Sequence, residues 1–176
     1  MYNASNKISA CQSQFDYMSS LLGHTADACI DDTFTQDPLY DGSNWMYEMI
    51  NVVDVWKEYG LTGKGVTIRI NDDGVYVDNR EFDDRFDDVA NSCPDYYPIN
   101  NDSHGTSVAG IILGNANNDQ CATGIAHEAK FNACNFFIDA GVEVDLLVYK
   151  LETFDISQNS IGLPYVSAIS VVLPSS

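Results

Sequence analysis

A carboxylate and an imidazole, two groups that can share a proton across a hydrogen bond, stand at Asp72 and His104, 32 positions apart. A carboxylate that accepts the Nδ1 proton of a histidine leaves Nε2 outward as a general base, able to deprotonate an alcohol. Alone, neither residue says much. Asp72-Asp73-Gly74 follows a β-branched run, where such a triplet commonly makes a turn, and His104-Gly105-Thr106 opens a helical run, where it commonly makes a helix start. A second set of groups offers only oxygen. Asn115 to Gly124 is a polar turn, and Ca²⁺ takes six to eight oxygens, many of them loop carbonyls. A turn of this kind near two distant carboxylates can form a cage, although the turn by itself reads as a surface loop.

The elements that must position these residues follow from the apolar spacing. Val66-Thr67-Ile68-Arg69-Ile70 alternates as a strand, which Asn71-Asp72-Asp73-Gly74 closes. The glycines of Gly60-Leu61-Thr62-Gly63-Lys64-Gly65 precede that strand, whereas a dinucleotide fingerprint follows its strand and opens a helix, so nucleotide binding is excluded. Upstream, Val52, Val53, Val55 and Trp56 lie on one face of a short helix that Asn51 can cap. Downstream, residues 103–114 have small residues and helical apolar spacing, with His104 near the start and Gly114 at the end. A strand over 129–137, helical periodicity over 144–154 and a strand over 155–160 complete the order helix, strand, helix, strand, helix, strand. That order predicts an α/β fold, a parallel sheet flanked by helices with right-handed crossovers. Such sheets bind ligands at the carboxyl ends of their strands, where both Asp72 and His104 fall.

Composition narrows the partners. Eight Lys and Arg against 26 Asp and Glu give a net charge of −18, which repels phosphate backbones and anionic membrane surfaces. Nucleic acid is therefore excluded, while calcium or a cationic substrate suits the balance. No run reaches the roughly 18 apolar residues that a membrane helix needs, so no membrane span is expected. The start of the chain shows no basic stretch followed by an apolar one, which places any signal peptide upstream. The five cysteines, Cys11, Cys29, Cys93, Cys121 and Cys134, contain no Cys-x-x-Cys pair. That spacing does not suit a sulfur-built metal cluster, disulfides in an oxidising compartment are the alternative, and the odd count leaves at least one thiol free or paired outside the chain.

Three segments, taken in order, resemble the motifs of one family: Ile70-Asn71-Asp72-Asp73-Gly74, Asn101-Asp102-Ser103-His104-Gly105-Thr106-Ser107-Val108-Ala109-Gly110 and Asn159-Ser160-Ile161-Gly162. They are similar to the Asp, His and substrate-strand motifs of the subtilisin superfamily of serine endopeptidases, most closely its kexin/furin-like branch. Asp37-Pro38-Leu39-Tyr40, Thr62-Gly63-Lys64-Gly65-Val66 and Asn117-Asn118-Asp119-Gln120-Cys121-Ala122-Thr123-Gly124 add to the likeness. It implies a subtilisin-like catalytic domain in part over residues 37–162, preceded by a polar arm or propeptide remnant over 1–36 and followed by an atypical tail over 163–176.

The resemblance also assigns roles. Asp72 orients His104, and His104 takes the proton of a serine. Asp73 faces the S2 pocket and favours a basic residue there, and Ser160, Ile161 and Gly162 pair with an extended polypeptide substrate by strand addition. Calcium is the implied cofactor, held by the carboxylates of Asp37 and Glu81, the side chain of Asn118 and oxygens of Asn115, Gln120 and Ala122. Cys121 would bond a cysteine beyond residue 176. The secretory pathway or the extracellular space is the implied compartment. Two departures stand out. Ile161 replaces the tryptophan usual in the convertase branch, which leaves cleavage preference open between paired basic residues and a broader range. The one Gly-Thr-Ser in the 176 residues, Gly105-Thr106-Ser107, belongs to the His motif, so the nucleophile and the oxyanion donor are expected in a missing C-terminal half of the domain. The chain alone is then expected to be inactive. The alternative is a naturally shortened, inactive module that binds extended peptides or regulates a partner.

Overall fold

The computed structural model describes residues 37–88, 93–99, 102–137 and 145–160. The expected arm over 1–36, the tail over 163–176, and Ile161 and Gly162 lie outside them. The described elements, in chain order, are helix α1 (Tyr40–Ile50), helix α2 (Val52–Asp54), strand β1 (Thr67–Asp72), helix α3 (His104–Leu113), strand β2 (Lys130–Asn135), helix α4 (Asp145–Val148) and strand β3 (Ile156–Asn159). The strands form one three-stranded sheet in the order β2-β1-β3. Both pairings of β1 are parallel, with Asp72 opposite Asn135 on one side and Asn71 opposite Asn159 on the other. This is the α/β architecture expected from the alternation of elements.

β1 is central because it can be buried on both faces. From Ile68 onward every residue of β1 is buried, and β2 is buried from Phe131 onward. Ile68 and Ile70 of β1, Phe131 and Ala133 of β2 and Val108, Ala109 and Leu113 of α3 share the main core. A smaller core joins Tyr40 and Tyr47 of α1 to Val52, Val53 and Trp56. Trp56 ties that unit to the rest by donating from Nε1 to the carbonyl of Ile125 at 3.0 Å.

Asn51 ends α1 in the left-handed conformation, φ 55°, and its N–H returns to the last turn of that helix. Asparagine tolerates that backbone region because its short amide bonds locally. The chain then continues through α2 into a π-helical turn over Val55–Tyr59 that Gly60 closes at φ 63°. The predicted helix over 144–154 is shorter than its periodicity indicated. α4 spans only Asp145–Val148, Lys150 is left-handed at φ 50°, and Leu151–Thr153 is a 3₁₀ turn. The deciding contact is tertiary: Arg69, buried in the sheet, donates to the carbonyl of Tyr149 at 2.9 Å and lies over the Phe154 ring. Its guanidinium thereby holds the chain bent over the sheet.

Candidate active site

β1 reaches two residues past its predicted end, so Asn71 and Asp72 lie in the strand itself. Asp72 is therefore set at the carboxyl edge of the sheet by ladder hydrogen bonds rather than by a turn. α3 starts at His104 and lies against β1. The approach is close enough that a Cβ on Gly105 would overlap the carbonyl of Gly74 and stand 2.7 Å from Asp72 Cβ. Only glycine permits this contact. From the same first turn, Thr106 Oγ1 accepts the N–H of Tyr76 at 3.1 Å and pins the 74–77 segment to the helix.

Asp72 and His104 meet in this packing. His104 Nδ1 lies 2.7 Å from Asp72 Oδ1, with Asp72 2% exposed and the imidazole 37% exposed. One partner is buried and the other half open, the form needed to orient a ring whose outer nitrogen serves a reactant. Asp72 Oδ1 also accepts the N–H of Asp73 at 2.9 Å. Asp73 is turned the other way: Oδ1 accepts from the N–H of Gly105 at 2.7 Å and Oδ2 from that of His104 at 3.1 Å. Burial pushes the Asp73 carboxyl above its ordinary range, opposed by the Gly105 amide.

Ser160 is exposed directly after β3. Its strand is aligned to the site by Asn71, whose Nδ2 donates to Ser157 Oγ at 3.1 Å and to Asn159 Oδ1 at 2.9 Å across the β1–β3 pairing. Sequence reasoning missed this role of Asn71. An amide side chain in a strand that is buried from Ile68 onward was the available signal, since a buried amide needs partners.

Among the described residues no group of three or more His, Cys, Asp or Glu side chains converges as a metal site would require. A calcium cage built from mixed carboxylate, amide and carbonyl oxygens is a different test. Asp37 is buried under the 117–123 loop, its Oδ2 accepting from the N–H of Asn117 at 2.9 Å and Thr123 Oγ1 at 2.6 Å and its Oδ1 from the N–H of Asn118 at 2.9 Å. Asn117, Asp119 and Cys121 in that loop all have positive φ, which aims consecutive amides at one carboxylate. Asn118 bridges onward, donating to Glu81 Oε1 at 3.1 Å while its Oδ1 accepts from Gln120 N–H at 2.9 Å. The N–H of Asn115 donates to the Glu81 carbonyl at 2.9 Å, and the Asn115 side chain bonds Asp83. At Gly114 a Cβ would sit 2.6 Å from the Ala122 carbonyl and 3.2 Å from Glu81 Oε2, so those two oxygens border the same small space. Glu81 Oε2 is buried with no hydrogen-bond partner. Burial, with Asp37 adding to it, raises the Glu81 carboxyl from its ordinary 4.5 to about 7. A buried, unpartnered carboxylate oxygen among hard oxygen donors fits a calcium ion.

Cys93 and Cys134 form a disulfide with Cα atoms 5.4 Å apart, a pairing the sequence had left open. Cys121 is also disulfide-bonded, with its partner outside the described residues.

With this geometry in place, comparison with known proteins becomes informative. The family model described as the subtilase family matches residues 63–163. Furin-like protease 1, isoform 1-CRR, of Drosophila melanogaster is 38% identical over 89 residues, covering 46% of this chain and 8% of that protein. Neuroendocrine convertase 2 of Homo sapiens is 38% identical over 90 residues, 46% of this chain and 14% of that protein. Among solved structures, the serine protease of Aeromonas sobria in complex with its chaperone shares 29% identity over 51% of this chain and 16% of its own, with a TM-score of 0.42. The chain thus spans less than a sixth of the length of the curated relatives named here.

Proposed function

The chain belongs to the subtilase family, and from that premise we propose that it carries the aspartate and histidine of a calcium-dependent, subtilisin/kexin-like serine endopeptidase. The observation that carries this reading is the 2.7 Å bond from His104 Nδ1 to buried Asp72. With Nδ1–H donated to Asp72, the outer nitrogen Nε2 accepts the hydroxyl proton of a serine as it attacks a peptide carbonyl, and Asp72 stabilises the imidazolium that forms. The serine and the oxyanion donor come from chain outside these 176 residues. Residues 37–162 are the corresponding part of the catalytic domain, between an arm over 1–36 and a distinct tail over 163–176.

The substrate is a polypeptide in extended conformation. Ser160, Ile161 and Gly162 pair with its backbone, and Asp73 adds negative charge beside the S2 pocket. Calcium, when bound, supplies a fixed positive charge that cross-links loops. Asp37, Glu81 and Asn118, with oxygens of Asn115, Gln120 and Ala122, would hold it. The Cys93–Cys134 disulfide accords with the secretory pathway or extracellular space, where disulfides persist.

The test is to express the longest natural reading frame that contains residues 1–176 and assay cleavage of an internally quenched peptide library. Asp72→Asn and His104→Ala should each lower kcat by on the order of 10³-fold or more. Full activity in either variant overturns the proposal. A frame that closes at residue 176, with peptide binding but no hydrolysis, would put the shortened peptide-binding module in its place.

A further inference from the structure

We infer that Asp73 is a positioning residue for His104: its carboxylate clamps the first two amides of α3 and so sets the distance at which the imidazole meets Asp72. This deepens the proposed function and rests on it only in calling that pose productive.

The hydrogen bonds form a closed circuit. Asp72 Oδ1 receives the Nδ1 bond of His104 and the N–H of Asp73. The Asp73 side chain then returns to the backbone of His104 and Gly105 through one oxygen each. Asp72, Asp73 and His104 are therefore each fixed to the other two. A rigid connection of this kind holds a reacting group far better than a single bond between two side chains, since one bond leaves the ring free to pivot.

Two further observations give Asp73 this task. Ser103, in the N-cap position of α3, makes no side-chain cap bond, and the Gly105 amide that a cap could satisfy is taken by Asp73 together with the His104 amide before it. A carboxylate there also complements the positive end of the helix dipole. In addition, Gly105 leaves room for the carboxylate, because a Cβ on it would stand 3.0 Å from Asp73 Oδ1. Both Asp73 oxygens are thus turned to the backbone of the helix that bears the base.

The experiment uses the 176-residue chain and reads the His104 ring directly by NMR, through the Nδ1–H proton and the ring nitrogen shifts that report the tautomer. The unmodified chain is expected to show a downfield Nδ1–H resonance that His104→Gln removes. Asp73→Ala should abolish that resonance and speed amide exchange at His104 and Gly105 at least tenfold. Asp73→Ser, which keeps one short acceptor, should restore part of both. Asp73→Asn preserves size and keeps one acceptor oxygen, so it should lose part of both signals and serves as the test if the alanine variant does not fold. Faster amide exchange with an unchanged imidazole signal would mean that Asp73 only caps the helix, and would overturn the inference while leaving the Asp72–His104 pair intact. Absence of the resonance in the unmodified chain would remove the pair itself, and with it both readings.

Discussion

A single added methyl at Gly105 tests how tightly the site is built. The Cβ of Gly105→Ala would overlap the Gly74 carbonyl and crowd Asp72 Cβ, and a backbone oxygen on one side and a Cβ fixed to its strand on the other leave little to give way. We expect a loss of about 1–3 kcal/mol, read as a lower urea midpoint, together with loss of the His104–Asp72 bond. An unchanged midpoint would show that α3 sits further from β1 than described. Glu81 makes the second prediction at this scale. Its carboxyl is raised to about 7, so between its unfolded value near 4.5 and pH 7 the folded state holds a proton that the unfolded state has lost. Stability from this group is therefore full below pH 4.5 and falls as pH rises toward 7, by roughly 3 kcal/mol in all. Calcium must displace that proton, so the rise in Tm on adding calcium should grow from pH 5 to pH 7 and vanish in Glu81→Gln. A calcium response that is flat across this range, or that survives in Glu81→Gln, excludes Glu81 as a ligand. Asp72 and His104 were legible in the sequence through their motifs. The hydrogen-bond partners of Asp73 were not, because which way a turn carboxylate faces depends on how closely a helix from 30 residues later approaches it.

At the scale of elements, the strands were legible to within two residues: alternating apolar residues mark β1 and β2, whose other side chains are polar, and the short β3 is mostly exposed. The helices were less so. α1 and α2 are separated by one left-handed asparagine, and α4 is cut short by Lys150 and by the pull of Arg69 on Tyr149, a contact that no local pattern encodes. The 93–99 segment shows how an irregular element is held. Cys93 is bonded to Cys134 at the end of β2, while the Asn135 N–H donates to the Asp95 carbonyl and the Val75 N–H to the Tyr96 carbonyl. The two cysteines are 41 residues apart, and cross-linking a loop of that length removes unfolded-chain entropy equivalent to about 4 kcal/mol. The double variant Cys93→Ala/Cys134→Ala should lose about 2–4 kcal/mol in urea unfolding. Unaltered unfolding would show that those hydrogen bonds hold the segment without the bridge.

For the whole molecule, two opposing forces act between copies. A parallel sheet is ordinarily covered on both faces, yet three of the four β3 residues are exposed, and β3 pairs only with β1 among the described residues. Around it Val148, Leu151 and Ile156 are each at least 50% exposed. Apolar surface beside an unpaired strand edge draws copies together. The net charge of −18 opposes this, because every copy carries the same sign over most of its surface. Salt removes the second force and leaves the first, since the Debye length contracts from about 10 Å at 0.1 M to about 3 Å at 1 M. Sedimentation velocity on the 176-residue chain should therefore show larger species as concentration rises, and more of them at high salt. Ile156→Lys, which places a charge on the exposed strand, should return the chain to monomer under the same conditions. The sign of the salt effect separates this from charge-driven association, which salt would weaken. A single monomeric boundary at high salt from about 10 µM to about 1 mM would mean that the β3 edge is already covered by a part of the chain outside the described residues.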